Sequence, residues 1–183
     1  MYLFLIPLLL GFLFNSASAF TTFYSRHLGE RRGRFASIVL RDVVGIPVWA
    51  IGYALAAKAT SNKLYSPIPI SLVLAWLFIT FGVIIIFAGL VSLRWRAVAP
   101  SVQDALLRDG IYAHIRHPLY SGMILELAGI FIWIPTLSVL VACILGVIWV
   151  MIQARLEEID LVERLPVYRD YMQQVPRFVP KFK

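Results

Sequence analysis

Residues Gly110–Gly122, GIYAHIRHPLYSG, decide how the chain is read, because there a basic aqueous loop turns into a membrane helix. Pro118 fits the first turn of that helix: a proline has no N–H to lose there, and its φ is already close to helical. Arg116 and His117, just before it, then stand beside the unpaired N–H groups of the first turn. Two cationic or hydrogen-bonding side chains, free N–H groups and the positive end of a helix dipole make an anion site at the edge of a bilayer. A lone Arg-His pair would read as an interfacial anchor. Here Gly110, Tyr112, Tyr120 and Gly122 surround it at fixed offsets, which anchoring alone does not require.

The rest of the composition agrees with a membrane setting. The 183 residues are 60% hydrophobic and 15% charged, with a mean hydropathy of +0.80. Those values predict an all-α, multi-spanning membrane protein. No long linker, low-complexity tract or internal repeat divides the chain, so residues 1–183 read as one domain. The single cysteine, Cys143, lies in an apolar run, excludes an intramolecular disulfide and reads as packing. No metal-ligand set is read from the sequence.

Hydropathy and breakers predict five spans. Tyr2–Phe20 is nearly all apolar; Ala17-Ser18-Ala19 resembles a cleavage site, but no Lys or Arg precedes the run, so a retained helix is expected rather than a signal peptide. The second span, about Leu40–Ala59, has Arg41 and Asp42 at its mouth and Lys58 at its far end, where long basic side chains can snorkel. Gly45, Pro47 and Gly52 predict a kink in it. A turn over Thr60–Pro69 leads to a third span at about Ile70–Leu93. Arg94–Arg116 is a basic loop in which Val102–Arg108 is expected to form a short interfacial helix ending at Asp109-Gly110. Leu119–Trp133 and Thr136–Ile152, turned by Pro135, make a hairpin of two short spans. The last helix is expected to run on into water until Pro166, followed by a tail packed on the protein.

Charge placement predicts the orientation. The segments 26–41, 94–116 and 153–183 hold five, four and six Lys/Arg, fifteen of the seventeen in the chain. Five spans with the N-terminus outside put all three on the cytoplasmic side, with the C-terminal helical tail. The net charge of +7 is thereby explained by orientation, and nucleic-acid binding loses its support.

Three basic or polar pieces then meet on one side: Arg116-His117, the loop before them, and a tail that brings Glu157-Glu158. Neighbouring carboxylates on an emerging helix are often a solvated face; the functional reading is a clamp for a cation or for ribose hydroxyls. Beyond them come Tyr168-Arg169-Asp170-Tyr171 and Val175-Pro176-Arg177-Phe178-Val179-Pro180. Taken in order, the motif at 110–122, the acidic pair, the tyrosine pair and the V-P-R-F-V-P tail resemble the isoprenylcysteine carboxyl methyltransferase family, and also the related phospholipid N-methyltransferases. The resemblance covers about Trp95–Pro180. It implies S-adenosylmethionine as cofactor and a lipophilic methyl acceptor reached from the lipid bilayer. By resemblance, Tyr112, His117, Tyr120, Glu157 and Glu158 would line the cofactor pocket, and Arg116 would be the catalytic residue where acceptor and cofactor meet.

Some positions depart from the family pattern. Asp104 stands where a polar residue, often His, is common, Leu165-Pro166 replaces an F-G, and Gln174 replaces an Arg. The last change weakens the case for a prenylcysteine carboxylate more than the case for the cofactor. Glu126 reads as a carboxylate well inside a span. With Gly122 and Gly129 it falls on one helix face, expected to pack against Gly82 and Gly89, with a substrate-pocket contact as the alternative. Carboxyl methylation of an isoprenylcysteine-like substrate is the first functional expectation and phospholipid N-methylation the second. A nicotinamide-dependent membrane reductase and a non-enzymatic scaffold are the rivals from other classes.

Overall fold

A computed structural model describes residues 2–94 and 105–181. Seven helices carry its described architecture: α1 Leu5–Ala17, α2 Thr21–Leu28, α3 Glu30–Lys58, α4 Pro69–Leu93, α5 Pro118–Trp133, α6 Leu137–Arg164 and α7 Tyr168–Gln174. By length and composition, α3, α4 and α6 each qualify as a membrane span, and the α1–α2 pair, bent by 63°, brings the number to four. Helix α5 is apolar but has only 16 residues, about 24 Å at 1.5 Å per residue against a hydrocarbon core of about 30 Å. The protein is therefore all-helical with three to four candidate spans, where five were expected.

The second predicted span begins earlier than expected, at Glu30, because the basic segment 30–38 is itself helical and runs straight into the apolar part. No break marks the expected kink. Instead Val39–Gly45 is π-helical, and Ile46 N–H bonds the Arg41 carbonyl, five residues back. Pro47 accounts for it: its ring crowds the carbonyl four residues earlier, and a wider turn relieves that crowding without breaking the helix. The interfacial helix expected over Val102–Arg108 lies partly outside the described residues. Ala105–Arg108 are irregular, and Gly110, at φ +58°, opens a 3₁₀ turn, Gly110–Ala113, where it was expected to close a helix.

Helix α6 is the centre of the bundle. Half of its most apolar window is buried, against 11% for α3 and for α4. Ala142, Trp149 and Val150 of α6 form one core cluster with Phe4, Leu8 and Phe12 of α1 and Ala56 of α3. The Phe12 and Trp149 rings stack at 4.7 Å, nearly parallel. The loop before α4 is pinned to the α5–α6 turn: Leu64 N–H donates to Pro135 O at 2.8 Å and Leu137 N–H to Asn62 O at 3.0 Å.

The most extensive helix contact is α4 against α5. A methyl added at Gly122 would lie 2.5 Å from the Gly82 carbonyl oxygen, and one added at Gly82 would meet the Glu126 Cγ at 2.7 Å. The two backbones therefore touch where neither residue has a side chain, the small-residue packing expected between membrane helices. Gly129 meets Ala75 and Gly89 meets Leu119 along the same seam. Glu126 thus lies against α4, as the first of its two readings had it.

Candidate active site

Arg116 and His117 follow the 3₁₀ segment and lead into α5, with His117 at its N-cap and Pro118 at its first position. The expected anion site at this helix start is covered on one side by the chain's own C-terminal residues. Arg116 N–H donates to Pro176 O at 2.9 Å, His117 N–H to Arg177 O at 3.0 Å, and Ser121 Oγ–H to Phe178 O at 2.8 Å. One Arg116 Nη donates to the carbonyls of Met172 and Val175 at 2.5 and 2.7 Å, and the other to Glu158 at 2.9 Å. Its side chain is 8% exposed. Arg116 therefore clamps the tail as well as facing the cavity. Its buried Nε–H has no hydrogen-bond partner among the described residues.

The two glutamates go separate ways. Adjacent helix residues do not face the same direction, so Glu158 turns toward the tail and Glu157 toward the cavity. Glu158 is fully buried and its two oxygens take Arg116, His117 at 3.2 Å, and Arg177 at 3.0 and 2.5 Å. Two guanidiniums and an imidazole thus surround one carboxylate, with bidentate geometry from Arg177. Glu157 keeps a third of its side chain exposed. It accepts hydrogen bonds from the Tyr120 hydroxyl and from Gln153 Nε2, and its other oxygen lies 3.8 Å from His117 Nδ1. The Tyr120 ring stacks on His117, centroids 5.5 Å apart.

A cavity of about 420 Å³ gathers these residues, within the range of about 300–1,000 Å³ usual for small-molecule sites. Tyr112, Arg116, His117, Tyr120 and Glu157 line it. Of the six residues expected from the sequence, Glu158 alone stands outside that lining, one layer behind it. Tyr168 and Tyr171 close one end, where the Tyr171 hydroxyl donates to Tyr112 O at 2.6 Å. Burial pushes the Tyr171 hydroxyl up to about 12 and raises Tyr112 and Tyr168 further, so all three remain neutral donors at physiological pH.

The opposite wall was not expected from the sequence. Asn15 of α1, Ser18 just after it, and Arg41, Asp42, Ile46 and Trp49 of α3 also line the cavity. The signal for Arg41-Asp42 was present: an ionisable pair leading into an apolar span is costly and marks a pocket or an interior more often than a surface. Leu90 and Leu93 of α4 with Leu119 and Met123 of α5 supply an apolar side. Among the described residues, no group of three or more His, Cys, Asp or Glu side chains is placed to hold a metal ion.

Fold and site together define a helical membrane protein with a mixed polar and apolar cavity at one end of its bundle. Residues 70–166, just over half of the chain, match the phospholipid methyltransferase family, and the chain belongs to that family. The match takes in α4, which the resemblance read from the sequence left outside. A methanethiol S-methyltransferase from a Pseudomonas species is 29% identical over 158 residues, which cover 78% of this chain and 54% of that protein. The chain thus spans about half the length of the curated relative it matches. No solved structure matches the chain.

Proposed function

We propose that the protein is an integral-membrane methyltransferase that uses S-adenosylmethionine and methylates a lipophilic acceptor. The observation that carries this reading is the convergence of Arg116, His117, Tyr120 and Glu157 on one cavity with an apolar side. The residues fit such a donor. Arg116 and His117 on the cavity wall suit a carboxylate, the Glu157 carboxylate suits an ammonium or ribose hydroxyls, and neutral tyrosines offer faces to a sulfonium or an adenine. When bound, S-adenosylmethionine supplies an electrophilic methyl group. The chain's own residues then have two tasks: to orient an acceptor nucleophile in line with that methyl, and to keep water out. Tyr120 fixes Glu157, and the Glu158 network fixes Arg116 and His117 under the tail. Glu158 is a positioning residue in this reading.

The acceptor enters from the bilayer. Helices α3 and α4 make no extensive contact with each other among the described residues, yet Ile46 and Trp49 of one and Leu90 and Leu93 of the other line the same cavity. This seam lies beside the π-helical part of α3. In the proposed topology α5 and α6 form the closing hairpin of five spans, and the site faces the cytoplasm, a placement that the basic segments support.

Transfer of labelled methyl from S-adenosylmethionine tests the function against three acceptor classes: a farnesylcysteine carboxylate, phosphatidylethanolamine and methanethiol. Label in any of the three products supports the reading, and the productive class names the acceptor. No transfer by a folded protein that binds the donor would sink it. Tyr120→Phe removes one hydrogen bond to a carboxylate and keeps the ring on His117. It is expected to weaken donor binding about tenfold with little change in thermal stability. Equal binding by the variant would remove Glu157 from the donor's contacts.

A further inference from the structure

The start of α3 carries charges that the chemistry proposed above does not use. Helices α2 and α3 form a hairpin turned at Gly29, φ +80°. It closes at Gly33, where an added methyl would lie 2.5 Å from the Ser25 backbone nitrogen. The hairpin is tied to α6: Thr22 N–H donates to Asp160 at 2.8 Å, and Arg26 pairs with Glu163 at 2.8 Å. On α3 itself lies an open groove of about 440 Å³, lined by Arg31, Arg32, Arg34, Phe35 and Ile38. None of these residues lines the first cavity.

Arg31, Arg34, Phe35 and Ile38 recur at i, i+3, i+4 and i+7, so they share one helix face. Along it, guanidiniums give way to an aromatic ring and an isoleucine over about 10 Å of helix axis. The change runs in the direction in which α3 becomes an apolar span, and a phospholipid has the same order, phosphate first and acyl chain below. Arg31 and Arg32 are exposed and make no ion pair among the described residues, while Arg34 donates to Glu30 at 3.2 Å. Phe35 is 67% exposed. Membrane orientation accounts for the sign of these charges, but not for their meeting Phe35 and Ile38 in one groove. A nucleic acid or an acidic protein would engage the arginines and leave the apolar end unused; a bilayer lipid engages both. We propose that this groove holds an anionic phospholipid of the bilayer, its phosphate on Arg31 and Arg32 and an acyl chain along Phe35 and Ile38. This lipid is a bound neighbour at a site separate from the cavity, not the methyl acceptor. The proposal rests on the membrane setting alone and stands whether or not the protein transfers methyl groups.

Native mass spectrometry from an uncharged detergent tests it with three probes: phosphatidylglycerol, phosphatidylcholine with the same chains, and inorganic phosphate. Wild-type protein is expected to hold phosphatidylglycerol at least about tenfold more tightly than phosphatidylcholine, as two arginines at an anionic headgroup require. Arg31→Gln and Arg32→Gln together should abolish that preference and leave thermal unfolding without lipid unchanged. Phe35→Ser should weaken both lipids about fivefold, through the chain. Lys58→Gln and Lys63→Gln together remove as many charges from the far end of α3 and the loop after it, and should keep the preference. Equal loss in the two double variants would make the effect one of net charge and overturn the proposal. So would a wild-type protein without preference, or a preference that survives the loss of both arginines. Inorganic phosphate held as tightly as the lipid would make the ligand a soluble anion and overturn the lipid assignment. Should the double arginine variant fail to fold, the wild-type preference and Arg31→Gln alone, expected to reduce it about fivefold, decide the matter.

Discussion

Glu158→Ala is expected to cost about 3–5 kcal/mol of stability and to abolish donor binding. The carboxylate is wholly buried and serves Arg116, His117 and Arg177 together. Removing it leaves the largely buried Arg116 guanidinium without its compensating charge and takes an acceptor from His117 and Arg177, which is far costlier than the net worth of the intact network. The damage spreads because Arg116 also holds the carbonyls of Met172 and Val175, so the tail over the start of α5 loses its anchor. Thermal unfolding in detergent reads the loss, and limited proteolysis within 165–181 reads the release of the tail. Arg177→Ala alone should give a smaller effect, since Glu158 keeps two partners. A Glu158→Ala protein as stable as wild type would contradict the network.

The second large effect is expected at Gly122→Val. A methyl at this position already lies 2.5 Å from the Gly82 carbonyl oxygen and 2.6 Å from Ile86 Cγ1. The first of these is backbone and cannot swing aside. Helices α4 and α5 must separate, at a cost of about 3 kcal/mol or more, above the usual range for overpacking. Gly122→Ala should show roughly half of that. Because Tyr120 and His117 lie two and five residues before Gly122, donor affinity should fall together with stability. Thermal unfolding of the Ala and Val variants checks the gradation, and a variant series with no trend in side-chain size would mean the seam is not closed in the membrane.

The start of α5 was legible because proline, the preceding Arg-His pair and the flanking glycines each have one local explanation, and those explanations agree. The Gly122–Glu126 face was legible for the same reason: helical spacing is a local property, and the partner glycines sit on an equally regular helix. What escaped the sequence is long-range. Nothing near Arg116 reveals that the carbonyls of 172–177 will occupy it, since that depends on where the tail crosses α5. The division of labour between Glu157 and Glu158 could have been read, because successive helix residues point about 100° apart. Reading them as one clamp overlooked this. The register of α3 lies between these cases. Pro47 announced a disturbance, but whether it would kink the helix or widen it depended on packing against α1. Helix α5 is apolar, as hydropathy had it, and its 16 residues fall below the length that makes α3, α4 and α6 candidate spans, which is why length and composition give three to four where apolar runs gave five.

The central claim is that this cavity binds S-adenosylmethionine through the cavity-facing residues. Equilibrium binding of labelled S-adenosylmethionine to the protein in nanodiscs, beside His117→Ala and Glu157→Gln, tests it most directly. The account predicts saturable binding by wild type and a loss of about tenfold or more in each variant, with both variants still folded. No saturable binding by a folded wild-type protein, or wild-type affinity in both variants, would contradict it.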